Sequence, residues 1–140
     1  MASNIRSSSP TQTVYFLDTS IPAEQVLAVQ TLPVTAGTTA VTTLDLGNPL
    51  VISRVFVRVI SAVTGAETVQ VSVTPPGGSA TNVTAASTLS SISTVNGVTI
   101  IDATASTAIC AVGGSTISIT QAVGTAGTIQ VTILAVPLPQ

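Results

Sequence analysis

The chain has 140 residues, which suits a single domain with a sizeable core. Thr, Val and Ile supply 56 of these residues, whereas charged residues make up 6% against roughly 25% in an ordinary soluble domain. The sequence contains no His or Lys, one Cys and three Arg, which excludes imidazole catalysis, His-ligated metal sites, an internal disulfide and binding to the phosphate backbone of nucleic acids.

The first 25 residues form a polar segment that differs from the rest of the chain. Ser, Thr, Pro and Gln dominate it, and Ser7-Ser8-Ser9-Pro10 offers nothing for a core. No apolar secretory stretch follows Met1, so we expect no signal-led export. A short apolar group interrupts the segment: Val14, Tyr15, Phe16 and Leu17. We predict an extended N-terminal arm over residues 1–25 that docks through this group on its own domain or on a neighbour, with a disordered tail as the alternative.

From residue 26 to the end, apolar and polar residues alternate between turn signals, which is typical of half-buried antiparallel strands. The clearest strand covers residues 51–60. Similar runs cover residues 67–74 and 128–136 and the stretch around Ile117 and Ile119. Nine or ten short strands with this spacing predict a single all-β domain over residues 26–140. It would be an antiparallel β-sandwich or small barrel with less than about 10% helix.

Glycine and proline mark the ends of these strands. Pro75-Pro76-Gly77-Gly78 ends the strand over residues 67–74, because proline has no amide hydrogen for a ladder and glycine accepts a positive φ. Asn96-Gly97 predicts a two-residue hairpin with a type I′ turn. Gly113-Gly114 predicts a second hairpin of the same length.

The strands over residues 51–60 and 67–74 follow each other closely, so we expect them to pair antiparallel in one sheet. Placing Val57 opposite Val69 gathers the valines of both strands on one face, whereas a shift of one residue would split this core. The other face of the first strand then carries Ile52, Arg54, Phe56, Arg58 and Ile60. Two interpretations of that face stay open: a solvated face whose arginines discourage aggregation, or a subunit contact, where aromatic residues and Arg are enriched.

Catalytic machinery is not recognisable in the sequence. Hydroxyl groups are abundant, but a nucleophile needs a neighbouring base, and the chain offers neither His nor Lys. The five acidic residues lie in separate segments, and Cys110 lies in an apolar run, where we predict a buried and unreactive thiol. We expect no enzymatic activity, no cofactor and no metal. We also expect no membrane span, because no run of about 18 apolar residues occurs.

The last strands of the chain resemble the closing strands of small β-sandwich proteins on tailed-phage virions; over residues 117–137 they read ISITQAVGTAGTIQVTILAVP. With the polar arm, the chain over residues 26–140 resembles phage capsid decoration (cement) proteins. This resemblance implies a jelly-roll or related β domain and a homo-oligomer, commonly a trimer. It also implies synthesis in the host cytoplasm and a place on the capsid surface, bound to the major capsid protein.

Other classes of function stay open beside this resemblance. Head-fibre and tail-tube proteins of phages share the same style of sequence. A fibre or pilus-like surface subunit would use the arm to complete a neighbour's sheet by strand addition. A carbohydrate-binding β-sandwich is a more distant alternative, because sugar platforms usually need exposed aromatic residues and the folded region offers only Phe56.

Overall fold

The computed structural model describes residues 4–8, 12–16, 23–34, 37–42, 50–65, 67–75, 77–84, 87–88, 95–102, 109–110, 116–122 and 124–138. Within these ranges the protein contains strands and turns and no helix, as the alternating pattern predicts. The strands found there are β1 (Asn4–Ser8), β2 (Gln12–Phe16), β3 (Gln25–Pro33), β4 (Gly37–Thr42), β5 (Leu50–Thr64), β6 (Thr68–Thr74), β7 (Thr81–Asn82), β8 (Ser87–Thr88), β9 (Val98–Asp102), β10 (Ile109–Cys110), β11 (Thr116–Ala122) and β12 (Ala126–Pro137).

The strands form two antiparallel sheets. The larger sheet has the order β1-β2-β3-β12-β5-β10, and β9 also pairs with β5. The smaller sheet has the order β4-β11-β6-β7, and β8 also pairs with β6. Since β12 lies between β3 and β5 while β11 lies between β4 and β6, the chain from β3 onward follows the strand order of a jelly roll. The predicted all-β sandwich is therefore confirmed.

The hydrophobic core lies between the two sheets and consists of the inner faces of their central strands. Many of its buried side chains are β-branched and come from both sheets, among them Val55, Val57, Val59, Val69, Val71, Val73, Ile117, Ile119, Ile129, Val131 and Ile133. These are the faces that the period-two alternation predicts. Burying each such side chain contributes roughly 1.5–3 kcal/mol relative to leaving it in water.

The predicted hairpin between the strands over residues 51–60 and 67–74 is wrong. Strand β5 belongs to the larger sheet and β6 to the smaller one. Val57 pairs with Val131 of β12, and Val69 pairs with Gln121 of β11. The valines of β5 and β6 thus line opposite walls of one core. Alternation cannot distinguish the two arrangements, because either one removes the same valine faces from water.

A β-bulge near Ser53 changes which residues of β5 face the core. Arg54 pairs with Leu134 and Ile52 pairs with Ala135, so Ser53 is an extra residue opposite a continuous partner strand. Ile52 is consequently only 1% exposed and belongs to the core. Its predicted place on the outer face is wrong, because a bulge reverses the alternation beyond it without changing the sequence pattern.

The described part of the predicted arm lies at the edge of the larger sheet. Strand β1 pairs with β2, and β2 pairs with β3 through the backbone of three residues, Gln12 to Val14. Strand β3 begins at Gln25, beside the predicted boundary between arm and domain. The two strands therefore extend the sheet of their own chain.

The turn after β6 has the predicted form, whereas the Asn-Gly turn does not. The Gly78 amide donates to the Pro75 carbonyl at 3.0 Å, and Gly77 has a φ of 69°. Asn96 takes a φ of 68° but Gly97 does not take a positive φ, and a type I′ turn needs both. The Asn96 amide and the Gly97 carbonyl instead hydrogen-bond to Val59, which holds β9 beside β5. The strand expected before Asn96, and Gly113-Gly114, lie outside the described residues.

Candidate interaction surface

The outer face of the larger sheet, turned away from the core, carries an apolar group at β5 and β9. Ile100 lies opposite Phe56 and Val98 lies opposite Arg58 in the register of these strands. Ile100 is 54% exposed and Val98 is 48% exposed, and Phe56 and Ile60 are half-buried. We call these four residues, Phe56, Ile60, Val98 and Ile100, the outer patch.

The outer patch arises because β9 is apolar on both of its faces. Ile101 points into the core and is 5% exposed, so the alternating Val98 and Ile100 must face outward. An outward face of an antiparallel sheet usually carries polar residues, as Gln130 and Thr132 do on neighbouring β12. The outer patch therefore departs from the neighbouring face of β12.

An ion pair borders the outer patch at one end. Arg54 donates from Nη2 to Glu24 Oε1 at 2.5 Å and from Nε to Glu24 Oε2 at 3.1 Å. The Ser53 hydroxyl donates to the same Oε2 at 2.5 Å. The Arg54 guanidinium and then the Ser53 hydroxyl hold the pKa of Glu24 below its usual value. The guanidinium carbon also lies 5.6 Å from the centre of the Phe56 ring, within the range of a cation–π contact.

Two further charges of opposite sign lie on the same face, and the first of them, Arg58, lies between Phe56 and Ile60 along β5. Arg58 lies beside Val98, is exposed, and forms no ion pair within the described part of the chain. Asp102 lies opposite Arg54 at the other end of β9 and is also exposed. Aromatic residues and Arg are both enriched at protein interfaces, so Phe56 and Arg58 on one face are compatible with a contact surface.

The residues predicted from the sequence as interface residues do not all lie on one surface. Arg54, Phe56, Arg58 and Ile60 lie together on the outer face, whereas Ile52 lies in the core. Val14, Tyr15 and Phe16 lie on β2, and Tyr15 is half-buried. Strands β3 and β12 separate β2 from β5, so about 14 Å lies between the two groups at the usual strand spacing. Leu17 falls outside the described residues.

Three exposed apolar residues near this surface were not predicted from the sequence. They are Val95, Val98 and Ile100, which are 48–55% exposed. The alternation of β9 could have indicated a strand, but nothing in the sequence indicates that it pairs with β5, which lies 40 or more residues earlier in the chain.

Cys110 also pairs with β5, opposite Leu50. Its side chain is outside the described part of the chain, so its predicted burial stays a prediction.

Sites of other kinds are not found in the described ranges. There, no three or more His, Cys, Asp or Glu side chains come together in a way that could hold a metal ion. The described residues also contain no helix of the length and apolarity that a membrane crossing requires.

Comparison with known proteins identifies no family. No protein-family model matches the chain, and no curated protein matches it. Among solved structures, the protein is similar to a chain in the structure of infectious bursal disease virus Gx strain, with 14% identity, a TM-score of 0.40 and 96% of this protein covered. For the Gt strain the identity is 10%, the TM-score 0.42 and the coverage 96%. The protein covers 41% and 37% of these viral chains, or about two fifths of their length.

Proposed function

We propose that this protein is a virion structural protein of the capsid decoration (cement) type. Its copies would join to one another through the outer patch and bind a capsid shell built by a major capsid protein. The observation that supports the proposal is the outer patch itself, where Val98 and Ile100 hold about half of their surface in water. A chain with so few charges and such an apolar face is suited to assembly through shape and apolar contact.

The energetics of the outer patch favour a partner surface. Covering exposed apolar surface is favourable by about 25 cal/mol per Å², or about 0.8 kcal/mol per CH₂ group. Phe56 lies opposite Ile100 in the patch, and an aromatic side chain is the kind of residue that often dominates binding energy. Arg58 and Asp102 would orient the partner rather than supply most of the affinity.

The fold agrees with this proposal by analogy. Jelly-roll sandwiches form viral capsid domains and also lectin domains, and one fold hosts many functions. The outer patch discriminates between these two classes, because its aliphatic residues suit a protein partner, whereas a sugar platform would be expected to present several aromatic rings. Phe56 is the single aromatic residue of the patch.

The first test changes the outer patch. Phe56→Ser should weaken self-association by roughly 10–100-fold, because an aromatic anchor is lost. Val98→Ser should act in the same direction. Val26→Ser is the matched control, since Val26 is another exposed valine, 38% exposed, on β3 and separated from β5 by β12. Light scattering over a concentration series gives the mass of each variant.

Two results would count against the proposal. One is a wild-type protein that stays monomeric and does not sediment with capsids. The other is an assembly that Phe56→Ser and Val98→Ser leave as stable as Val26→Ser does. Co-sedimentation with isolated capsid shells separates decoration from self-assembly into fibres, because a fibre subunit would polymerise alone.

A second test removes the N-terminal strands. Deleting residues 1–22 keeps Glu24 and β3 and, among the described pairings with the rest of the sheet, removes the three-residue pairing between β2 and β3. We expect the thermal transition of the sandwich to move by no more than a few degrees, whereas retention on the assembled particle should fall. Calorimetry and co-sedimentation measure the two effects. A truncated protein that fails to fold would show that β1 and β2 stabilise their own domain and would contradict a separate binding role.

A further inference from the structure

Two connections cross between the sheets side by side at one end of the sandwich. One joins β5 to β6 and contains Glu67; the other joins β11 to β12 and contains Gly124 and Thr125. The Thr125 amide donates to the Thr64 carbonyl at 3.0 Å. The Gly124 amide donates to Glu67 Oε1 at 3.3 Å. Glu67 therefore links the two connections from the inside of the protein.

The carboxyl group of Glu67 is closed off from water. Its side chain is 0% exposed, and Gly124 packs so closely on it that an added Cβ would lie 2.9 Å from Glu67 Cβ and would also overlap Val34 Cγ1. Oε1 receives the Gly124 amide, but Oε2 has no hydrogen-bond partner among the described residues. A buried carboxylate in this position is costly, because half of its acceptor capacity stays unused.

A second buried acceptor lies on the same inner face. Gln121 pairs with Val69, two residues along the chain from Glu67, and is 5% exposed. Its Nε2 donates to the Pro33 carbonyl at 3.2 Å, while its Oε1 has no partner in the described part of the chain. Unpartnered acceptors here make a negative charge on Glu67 unfavourable, whereas a carboxyl group that carries its proton is neutral and has a donor of its own.

We propose that Glu67 is a pH-sensitive clasp on the two crossing connections. With its proton, the carboxyl stays buried and holds Gly124 against the end of the sandwich. Without it, the ionised carboxylate favours opening of the turn at Gly124 and Thr125, because opening gives the charge access to water. The clasp thus couples acidity to the closure of one end of the jelly roll.

The electrostatic surroundings agree with this role. Burial raises the pKa of Glu67, and the nearby backbone amides of Gly124, Thr68 and Ala122 offset that effect only in part. Burial and these amides account for the shift, and no charged side chain of the described residues is among its causes. Because the folded protein holds this proton more tightly than the unfolded chain, the contribution of Glu67 to stability is greatest below pH 4.5. It falls as the pH rises above 4.5 toward the raised pKa.

The test follows the carboxyl carbon of Glu67 by nuclear magnetic resonance in the full-length protein. We expect a titration midpoint above the usual 4.5. We also expect the Thr125 amide to lose protection from hydrogen exchange as the carboxyl ionises, while the Val131 amide in β12 keeps its protection. Glu67→Gln should raise the melting temperature at pH 7 and lose this advantage at pH 4.

Glu24→Gln is the matched control, because the same substitution there removes a half-buried carboxylate whose pKa is lowered by Arg54. It should lower the melting temperature at pH 7 and have less effect as the pH falls below 4.5, which is the opposite dependence. A Glu67 midpoint at or below 4.5 would overturn the clasp, and this result is obtained from the wild-type protein even if Glu67→Gln does not fold. Equal protection of the Thr125 amide on both sides of the midpoint would overturn it as well.

Discussion

Replacing Gly127 by alanine should lower the free energy of unfolding by about 2–4 kcal/mol, because strain and overlap act together. Gly127 has a φ of 115°, which residues with a Cβ rarely adopt. An added Cβ would lie 2.6 Å from the Ala62 carbonyl oxygen and 2.9 Å from Val63 Cα. These are backbone atoms of β5, so the overlap cannot be relieved by rotating a side chain. Denaturant unfolding of the purified variant measures the change.

Gly77→Ala is the matched control for this substitution. Gly77 also has a positive φ, 69°, but no atom lies within 4 Å of the added Cβ. We expect it to cost about 1 kcal/mol, which is the contribution of backbone strain alone. Equal losses for the two variants would show that the close approach of β12 to β5 at Gly127 does not matter.

Ile133→Ala should destabilise the protein by about 2–5 kcal/mol, because it leaves a cavity in the core. Ile133 is 0% exposed and lies on β12, where it pairs with Ala28 on one side and Val55 on the other. A domain of this size is stable by only about 5–15 kcal/mol. The variant should therefore unfold at a clearly lower denaturant concentration than the wild type.

The same substitution at Ile100 separates stability from assembly. Ile100 is 54% exposed on the outer patch, so Ile100→Ala should change the free energy of unfolding by less than about 0.5 kcal/mol. Under the proposed function it should nevertheless weaken association between copies. A large loss of stability at Ile100, or a small one at Ile133, would contradict the assignment of inner and outer faces.

Alternation in the sequence predicts the strands over residues 51–60, 67–74 and 128–136 and, apart from Ile52, their inner faces. Val69 and Val71 on β6, and Ile129 and Val131 on β12, are fully buried as the pattern predicts. This succeeds because successive side chains of a strand point to opposite faces, so hydrophobic spacing of two residues directly encodes inside and outside. The scarcity of charge and the absence of His likewise restrict the possible chemistry through composition alone.

The tertiary structure alone decides which strands become neighbours. Sequence proximity suggests that β5 pairs with β6, yet β5 pairs with β12 and β9, and β6 pairs with β11. The bulge at Ser53 moves Ile52 into the core, and the pairing of β9 with β5 brings Ile100 beside Phe56. Each of these features depends on contacts between segments far apart in the chain. Period-two spacing indicates whether a side chain is buried, but it does not indicate which strand or sheet packs against that side chain.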